Sequence, residues 1–308
     1  MINIIERKLK TLYNLLYNRP VGNIYMLHRV SSFDKEKLSM NENMKVSPEF
    51  LEQFIVESLE KYEFLSLDQV AKVLKKKYKP SKPFIAFTLD DGYVDNYQYA
   101  FPIFQKYNIP FSIYVSTGFV ERVSLLWWYQ LEDIVMQNDS VLLSNGIHFS
   151  CEAISDKEYS FLQIRKIILE LPTYDFDNHV RNLLSNYSLD FDKYNEELIL
   201  NWDQIIELSS SSLCTIAAHT VTHRRLSELS DIELLKEITD SKRIIENKIR
   251  KDVNHFAYPF GTSFEVSARV VDMVRQSGYT SACFANGGVI RKQDTNLFLL
   301  KRIMLSEV

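Results

Sequence analysis

The chain of 308 residues has few cysteines and no long apolar run. Its three cysteines are odd in number and far apart, at Cys151, Cys214 and Cys283, and they form no Cys-x-x-Cys pair. This spacing argues against a disulfide framework and against a thiolate zinc site. It favours a reducing, cytoplasmic location. No segment is long and apolar enough to span a bilayer, and a net charge of −4 gives no indication of nucleic-acid binding.

The N-terminal residues Met1–Tyr17 also lack the apolar core of a signal peptide, because charged residues interrupt them every few positions. Their apolar residues recur at helical spacing: Ile4, Ile5, Leu9, Leu12, Leu15 and Leu16. This pattern predicts an amphipathic helix that packs on the domain or, alternatively, lies on a membrane surface. We therefore expect a cytoplasmic protein, with peripheral membrane association as the alternative.

What the chain does contain is an ordinary globular composition, 46% hydrophobic and 25% charged, in which strand-like and helical segments alternate. Strands are predicted at 22–30, 83–90, 110–116, 213–218, 254–258, 279–284 and 297–305. Helices are predicted after Ser47 and Ser66 and at 95–107, 231–249 and 264–276. Seven strands alternating with helices predict an α/β fold with a parallel sheet, most naturally a distorted, closed or nearly closed (β/α) barrel.

Residues 121–201 interrupt this alternation. A helical stretch begins at Trp127 and Trp128, and a hairpin follows with Asn145-Gly146 as its predicted two-residue turn. Two or three more helices are expected before Trp202. We interpret 121–201 as an α-rich insertion that covers one rim of a barrel within a single domain, 1–308.

Two adjacent carboxylates, Asp90 and Asp91, end the apolar strand 83–90 and are followed by Gly92. Neighbouring carboxylates repel each other unless a positive group lies nearby. In barrels the chemistry lies at the C-terminal edges of the strands. The pair therefore indicates a metal or proton-transfer site, and an Asp-Gly turn with a helix N-cap is the alternative.

Two histidines four residues apart, His219 and His223, follow the predicted strand 213–218. Both imidazoles can reach one point, and His-x-x-x-His is a plausible spacing for a divalent metal. An incidental pair is the alternative. The position after a strand, which matches that of Asp91, favours the metal.

Three motifs together resemble those of the polysaccharide deacetylases, also called the NodB-homology or carbohydrate esterase family four. They are Thr88-Leu-Asp90-Asp91-Gly92, His219-Thr-Val-Thr-His223 and Phe256-Ala-Tyr-Pro259-Phe260-Gly261. They occur in the family's order, and the resemblance covers 20–120 and 202–305. It implies a (β/α) barrel that removes N-acetyl groups from a carbohydrate, either a glycan or a surface-polysaccharide precursor.

The resemblance also implies a role for each matching residue. Asp91, His219 and His223 would hold one divalent metal, zinc in most members and cobalt or nickel in others. The metal would polarise the acetamide carbonyl and lower the pKa of the attacking water. Asp90 would be the general base, and the backbone N–H of Phe260 would help to hold the oxyanion.

The chain departs from the family pattern in two places. Ala257 stands where the third motif usually supplies an arginine that orients the base, and the last strand has no histidine to protonate the leaving amine. We expect His28, at the end of the first strand, to act as the general acid. Arg302, or alternatively Arg29, would replace the arginine.

Aromatic residues are further candidates for contacts with the sugar. Pro259 and Tyr93 are expected to touch the substrate. Tyr93, Trp127 and Trp128 could form a platform for it, with packing in the core as the alternative for the two tryptophans. The missing arginine and histidine leave open a catalytically impaired sugar-binding protein on the same scaffold, and an O-deacetylase is a further alternative.

Overall fold

The computed structural model describes residues 19–188, 190, 192–285 and 287–307. The helix predicted within Met1–Tyr17 lies outside the described residues and stays a prediction. Among the residues that are described, no helix is long and apolar enough to cross a membrane.

The strands are short, and most belong to one sheet. In chain order they are β1 Pro20–Leu27, β2 Arg29–Val30, β3 Lys45–Val46, β4 Glu63–Phe64, β5 Phe84–Leu89, β6 Phe111–Val115, β7 Ser140–Leu142, β8 His148–Ser150, β9 Cys214–Ala218, β10 His255–Ala257, β11 Ser281–Phe284, β12 Ile290–Arg291, β13 Leu300–Lys301 and β14 Ile303–Met304.

Helices connect the strands. They are α1 Ser39–Glu42, α2 Pro48–Ser58, α3 Leu67–Leu74, α4 Phe101–Lys106, α5 Thr117–Val120, α6 Trp127–Gln137, α7 Ile154–Leu169, α8 Phe176–Leu183, α9 Lys193–Leu198, α10 Trp202–Ser210, α11 Asp231–Ile249 and α12 Ala268–Gln276. A π-helix, Asn96–Ala100, directly precedes α4, and a 3-10 helix covers Leu226–Glu228.

The main sheet is mostly parallel and nearly closed into a barrel. Its order is β12-β1-β5-β6-β9-β10-β11-β13, and β14 pairs with β1. β13 and β14 are two halves of the last strand, separated by Arg302; β13 pairs with β11 and β14 pairs with β1, both in parallel. The split strand therefore joins the two sides of the sheet, and the predicted barrel of about seven parallel strands is confirmed.

Side-chain alternation along the strands separates two apolar layers. Ile85, Phe87 and Leu89 of β5 belong to the large cluster that the surrounding helices cover. Phe84 and Ala86 belong to a second cluster, to which β6, β9, β10, β11 and β13 each contribute. Because the side-chain period of a strand is two, Asp90 continues the face of Phe84 and Ala86.

Helix starts follow the predicted caps in most cases. Ser66 with Gln69 and Ser230 with Glu233 form capping boxes, and α11 has the predicted bounds. The predicted helix 264–276 begins only at Ala268, because the Ser267 side chain accepts from the N–H of Val270 and caps it there.

The hairpin of the insertion is confirmed, but its predicted two-residue Asn145-Gly146 turn is wrong. The N–H of Gly146 donates to Leu143 O at 2.9 Å, and the N–H of Leu143 donates to Ile147 O. Ser144 and Asn145 therefore occupy the centre of the turn, and Gly146 follows with φ 87°. This is a three-residue loop, in which glycine takes the left-handed position.

The insertion has an apolar core of its own. Three helices, α7, α8 and α9, follow the hairpin. The core is formed chiefly by Leu125, Trp127, Leu131, Val135, Val141, Phe161, Ile164, Ile168 and Val180. The Asn195 side chain links the insertion to the barrel by donating to Phe119 O, and it also donates to Ser124 O within the insertion.

Candidate active site

A cavity of about 380 Å³ opens where β1, β5, β9 and β10 end. Its volume lies within the range of about 300–1,000 Å³ that is common for ligand pockets. From the barrel it is lined by Met26, His28, Asp90, Asp91, Tyr93, His219, His223, Tyr258, Phe260, Thr262, Ala285, Arg302 and Met304. From the insertion and the loop after β2 it is lined by Met40, Asn41, Met44, Trp127, Trp128, Tyr129, Phe161 and Arg165. The strand edges and the insertion therefore enclose one site.

Asp90 is held by Arg302 inside the barrel. The guanidinium Nη1 donates to Oδ1 at 2.6 Å and Nη2 donates to Oδ2 at 2.8 Å, and both side chains are buried. Burial alone would raise the pKa of Asp90, but the Arg302 charge overrides it and holds the pKa at about 2. Asp90 is therefore ionised at neutral pH.

Arg29, the alternative partner, lies elsewhere. Its Nε donates to Asp95 Oδ2 at 2.7 Å, and its Nη1 donates to the Tyr129 hydroxyl. Its guanidinium also lies 5.2 Å from the Tyr93 ring centroid. Arg302 therefore occupies the place beside Asp90, and Arg29 links the barrel to the insertion.

Asp91, His219 and His223 come together as a possible metal site. The Asp91 Oδ1 atom lies 3.5 Å from His219 Nε2 and 3.3 Å from His223 Nε2. The three candidate ligand atoms all lie within 4.8 Å of one another. Three ligands of this type match catalytic zinc sites, which keep a coordination position open.

The protonation of these groups fits a cation between them. His219 Nδ1 lies 2.8 Å from Ala257 O, which can only accept, so the lone pair of Nε2 points to Asp91. Burial lowers the pKa of both His219 and His223 to about 4, which keeps them neutral at pH 7. Burial raises the pKa of Asp91, whose buried Oδ1 has no hydrogen-bond partner among the described residues. Acceptors that face one another in this way favour a positive ion between them, and these residues fit a divalent metal.

The backbone is strained at the same place. Asp91 (φ 69°), Thr220 (φ 68°), His223 (φ 54°) and Phe260 (φ 59°) are non-glycine residues in the left-handed region. Such conformations cost about 1–3 kcal/mol each and cluster at functional sites. Two of the three candidate ligands, Asp91 and His223, are therefore held in conformations that the surrounding structure must impose.

Glu237 of α11 holds the loop between the two histidines. Its buried carboxylate accepts from the N–H groups of Val221 (2.8 Å) and Thr222 (2.9 Å), from the Thr222 hydroxyl and from Arg224 Nη2 (3.0 Å). Four hydrogen bonds to one carboxylate fix the path of the loop that carries His223.

Of the other predicted residues, His28, Tyr93 and Phe260 line the cavity and Pro259 does not. His28 follows β1, and its Nδ1 is buried without a hydrogen-bond partner among the described residues. A positive charge on His28 would lower the pKa of Asp91 against the effect of burial. The Phe260 ring lies 5.0 Å from that of His223, and Pro259 is buried behind it. Tyr93 is almost fully buried, so it offers the cavity only a small surface.

The two tryptophans also line the cavity. The Trp128 ring lies 5.9 Å from the ring of His223. Trp127, by contrast, is mostly packed in the core of the insertion. Trp128 is therefore the better placed of the two to contact a ligand.

With this geometry in view, comparison with known proteins decides the family. The sequence profile described as "Polysaccharide deacetylase" matches residues 77–159 and 172–282, more than half of the chain. The chain belongs to the polysaccharide deacetylase family. The expected resemblance is thereby confirmed.

A curated relative and several solved structures are similar to this deacetylase-family chain. One relative is the Bacillus subtilis (strain 168) protein YxkH, whose name places it among the polysaccharide deacetylases. It is 24% identical over 245 residues, which are 80% of this chain and 60% of that protein. The chain thus spans about three fifths of the length of this relative.

The solved structures show the fold of the family. Streptococcus pyogenes deacetylase PplD in complex with acetate is 20% identical with a TM-score of 0.64, covering 94% of both chains. IcaB from Ammonifex degensii is 14% identical with a TM-score of 0.59, covering 94% of this chain and 93% of its own. At these identities the likeness establishes the NodB-type barrel and nothing about substrate.

Two residues of the site were missed at the sequence level. Glu237 lies beside Leu234 and Ile238 on the buried face of α11, and Arg165 lies one turn after Phe161 on the buried face of α7. A charged residue on an apolar helix face was the available signal in both cases. Neither belongs to a motif, and both act on segments that only the fold brings near.

Proposed function

We propose that this member of the polysaccharide deacetylase family is a metal-dependent hydrolase that removes N-acetyl groups from a sugar in a glycan or a surface-polysaccharide precursor. The observation that carries the proposal is the pair of sites in one cavity: the Asp91, His219 and His223 cluster, and the ionised Asp90 beside it. The cluster would hold zinc, with cobalt or nickel as alternatives, since histidine nitrogens and a carboxylate suit these ions.

Asp90 acts as the general base. Its low pKa makes it a weak base, but a bound divalent metal would acidify the attacking water and polarise the acetyl carbonyl, so a weak base is sufficient. Arg302 keeps the carboxylate ionised and fixes its orientation. This pairing supports a catalytic site over the impaired sugar-binding alternative, because the missing arginine of the third motif has a replacement.

His28 serves as the proton donor to the leaving amine. It lines the cavity with Asp90 and Asp91, and its Nδ1 has no hydrogen-bond partner among the described residues, so it is free to serve substrate. The Phe260 N–H, which donates to no described residue, is assigned to the developing oxyanion. Pro259 and Tyr93 support the cavity wall, and Trp128 offers its ring to the sugar.

Acetate release from N-acetylglucosamine oligomers, with added zinc or cobalt, tests the reaction. An O-acetylated sugar in parallel distinguishes N- from O-deacetylation. We expect Asp90→Asn to bind metal but lose turnover, Asp91→Asn to lose metal affinity, and His28→Asn to keep metal while kcat falls about 10²- to 10⁴-fold. Asp68→Asn, an exposed carboxylate that does not line the cavity, is the matched control.

Stoichiometric metal binding without acetate release from a broad panel of acetylated sugars would overturn the proposal. Full turnover by His28→Asn would remove His28 from its role while leaving the reaction intact.

A further inference from the structure

The wall of the cavity that the insertion supplies carries a cation with no partner among the described residues. Arg165 of α7 is partly buried and lines the same cavity as Asp90 and Asp91. Burial lowers the pKa of Arg165, and no acidic neighbour among the described residues offsets that effect. The guanidinium is therefore partly shielded from water without receiving the carboxylate that a buried arginine normally has.

The other two arginines near the cavity are already paired. Arg302 is bound to Asp90 and Arg29 to Asp95, each at 2.6–2.7 Å. Since these charges are neutralised within the protein, Arg165 is, among the described residues of the cavity wall, the guanidinium that is left for a ligand. Asp91 cannot serve as the carboxylate partner of Arg165, because its carboxylate faces His219 and His223.

The position of Arg165 on its helix means that its charge destabilises the fold when no ligand is bound. Phe161, Ile164 and Ile168 form the buried face of α7, and Arg165 follows Phe161 by one turn, where an apolar residue would pack. An unpaired charge in such surroundings destabilises the fold. A bound anion would supply the missing partner at a site that is partly shielded from water, where charge pairing is stronger than in bulk solvent.

We propose that Arg165 binds an anionic substituent of the substrate, a phosphate or a carboxylate on the sugar chain near the acetylated unit. The inference rests on the proposed deacetylation and adds the charge class of its substrate. The planar fork of arginine matches two oxygens of either group. Because Arg165 belongs to the insertion and the reacting groups belong to the barrel, the anion and the acetyl group are different parts of one ligand.

Three oligosaccharides of equal length test the proposal: a neutral N-acetylglucosamine oligomer, the same oligomer with one phosphate monoester, and an alternating N-acetylglucosamine–glucuronate oligomer. Their affinities for the full chain are measured by calorimetry in a chelator, without turnover. We expect at least one anionic probe to bind about 10- to 100-fold more tightly than the neutral one, as a charge-assisted hydrogen-bonded pair implies. The two anionic arms show which group is recognised.

Arg165→Gln should abolish this preference, and Arg165→Lys should retain only part of it. Lys166→Gln removes the same charge from the next, exposed position of α7, which does not line the cavity, and should retain it in full. Thermal unfolding checks that each variant is folded. If Arg165→Gln does not fold, the reduced anion preference expected of Arg165→Lys tests the inference instead. Equal affinities for all three probes, or a preference that persists in Arg165→Gln, would overturn the inference.

Acetate release from the same probes separates this inference from the proposed function. No acetate from any probe, with an anion preference that Arg165→Gln removes, refutes the deacetylation and supports the anion site. Acetate release with no preference dependent on Arg165 refutes the anion site alone.

Discussion

Arg302 donates two parallel hydrogen bonds to Asp90, of 2.6 Å and 2.8 Å, in the interior of the barrel. Arg302 Nη1 also lies 3.3 Å from the Thr88 hydroxyl, which in turn donates to Tyr25 O. The fork of the guanidinium therefore fixes both the charge and the rotation of the carboxylate. A lysine, as a point charge, would supply only the first.

Replacing Arg302 by methionine should destabilise the protein by about 3–5 kcal/mol, because it leaves the buried Asp90 carboxylate without its partner. Urea unfolding measures the change. Arg243→Met is the control, since its ion pair with Asp240 is exposed and should contribute only about 0–1 kcal/mol. Equal losses in the two variants would show that the buried pair has no special weight.

Glu237→Gln should lower zinc affinity about 10- to 100-fold, the range typical for groups that orient metal ligands. The amide cannot accept all four hydrogen bonds that hold the loop before His223, so that imidazole is less well placed. Competition with a zinc-binding dye measures the affinity. The control is Asp240→Asn, which changes an exposed side chain one turn further along α11. The zinc affinity of this variant should stay at the wild-type value. A Glu237→Gln variant with that same affinity would contradict the role.

In protein stripped of metal, the free energy of unfolding should fall as pH drops from 6.5 to about 4. In this window the unfolded chain protonates His219 and His223 while the folded protein keeps them neutral, so the unfolded state binds more protons and gains stability. Asp90 acts in a lower window, since its stabilising ionisation is lost only as pH falls from 3.8 through about 2. Urea unfolding at several pH values gives the slope.

The double variant His219→Gln, His223→Gln is the control for that slope and should flatten it above pH 4. A wild-type slope that survives in the double variant would assign the effect to other groups.

Gly261→Ala should reduce turnover because it disturbs the loop that presents the Phe260 N–H. Gly261 has φ 56°, and a Cβ would lie 2.6 Å from the backbone nitrogen of Ala285. Gly146→Ala is the matched control: its φ of 87° is equally unfavourable, but open space surrounds it, so only a stability loss of about 1 kcal/mol is expected. Unchanged kcat in Gly261→Ala would exclude a role for this loop in the reaction.

Local sequence signals predicted the parts of the site that depend on strand ends. Asp90 and Asp91 follow β5, and His219 and His223 follow β9, because apolar strands terminated by polar residues are readable from the chain itself. Capping boxes likewise fixed the start of α11 at Asp231. The helix after Phe264 was predicted too early, since the apolar spacing there extends beyond the Ser267 cap.

Contacts between distant segments were harder to derive. Which arginine meets Asp90 depends on how the last strand joins the sheet, and the sequence left Arg302 and Arg29 as alternatives. The cavity wall formed by Arg165 and Phe161 depends on how α7 lies over the barrel, for which no short motif exists. The prediction of the hairpin turn was wrong because Asn145-Gly146 suits both a two-residue and a three-residue loop. The pairing of the two strands selects between them.

The split last strand links closure of the barrel to the ionisation of Asp90. Arg302 lies between the half that pairs with β11 and the half that pairs with β1, so the residue that closes the seam also neutralises Asp90. If the seam opened while Asp90 stayed buried, that carboxyl would take up a proton and could no longer accept one from water. A molecule in which the final strand has not docked would therefore lack the proposed base in its ionised form.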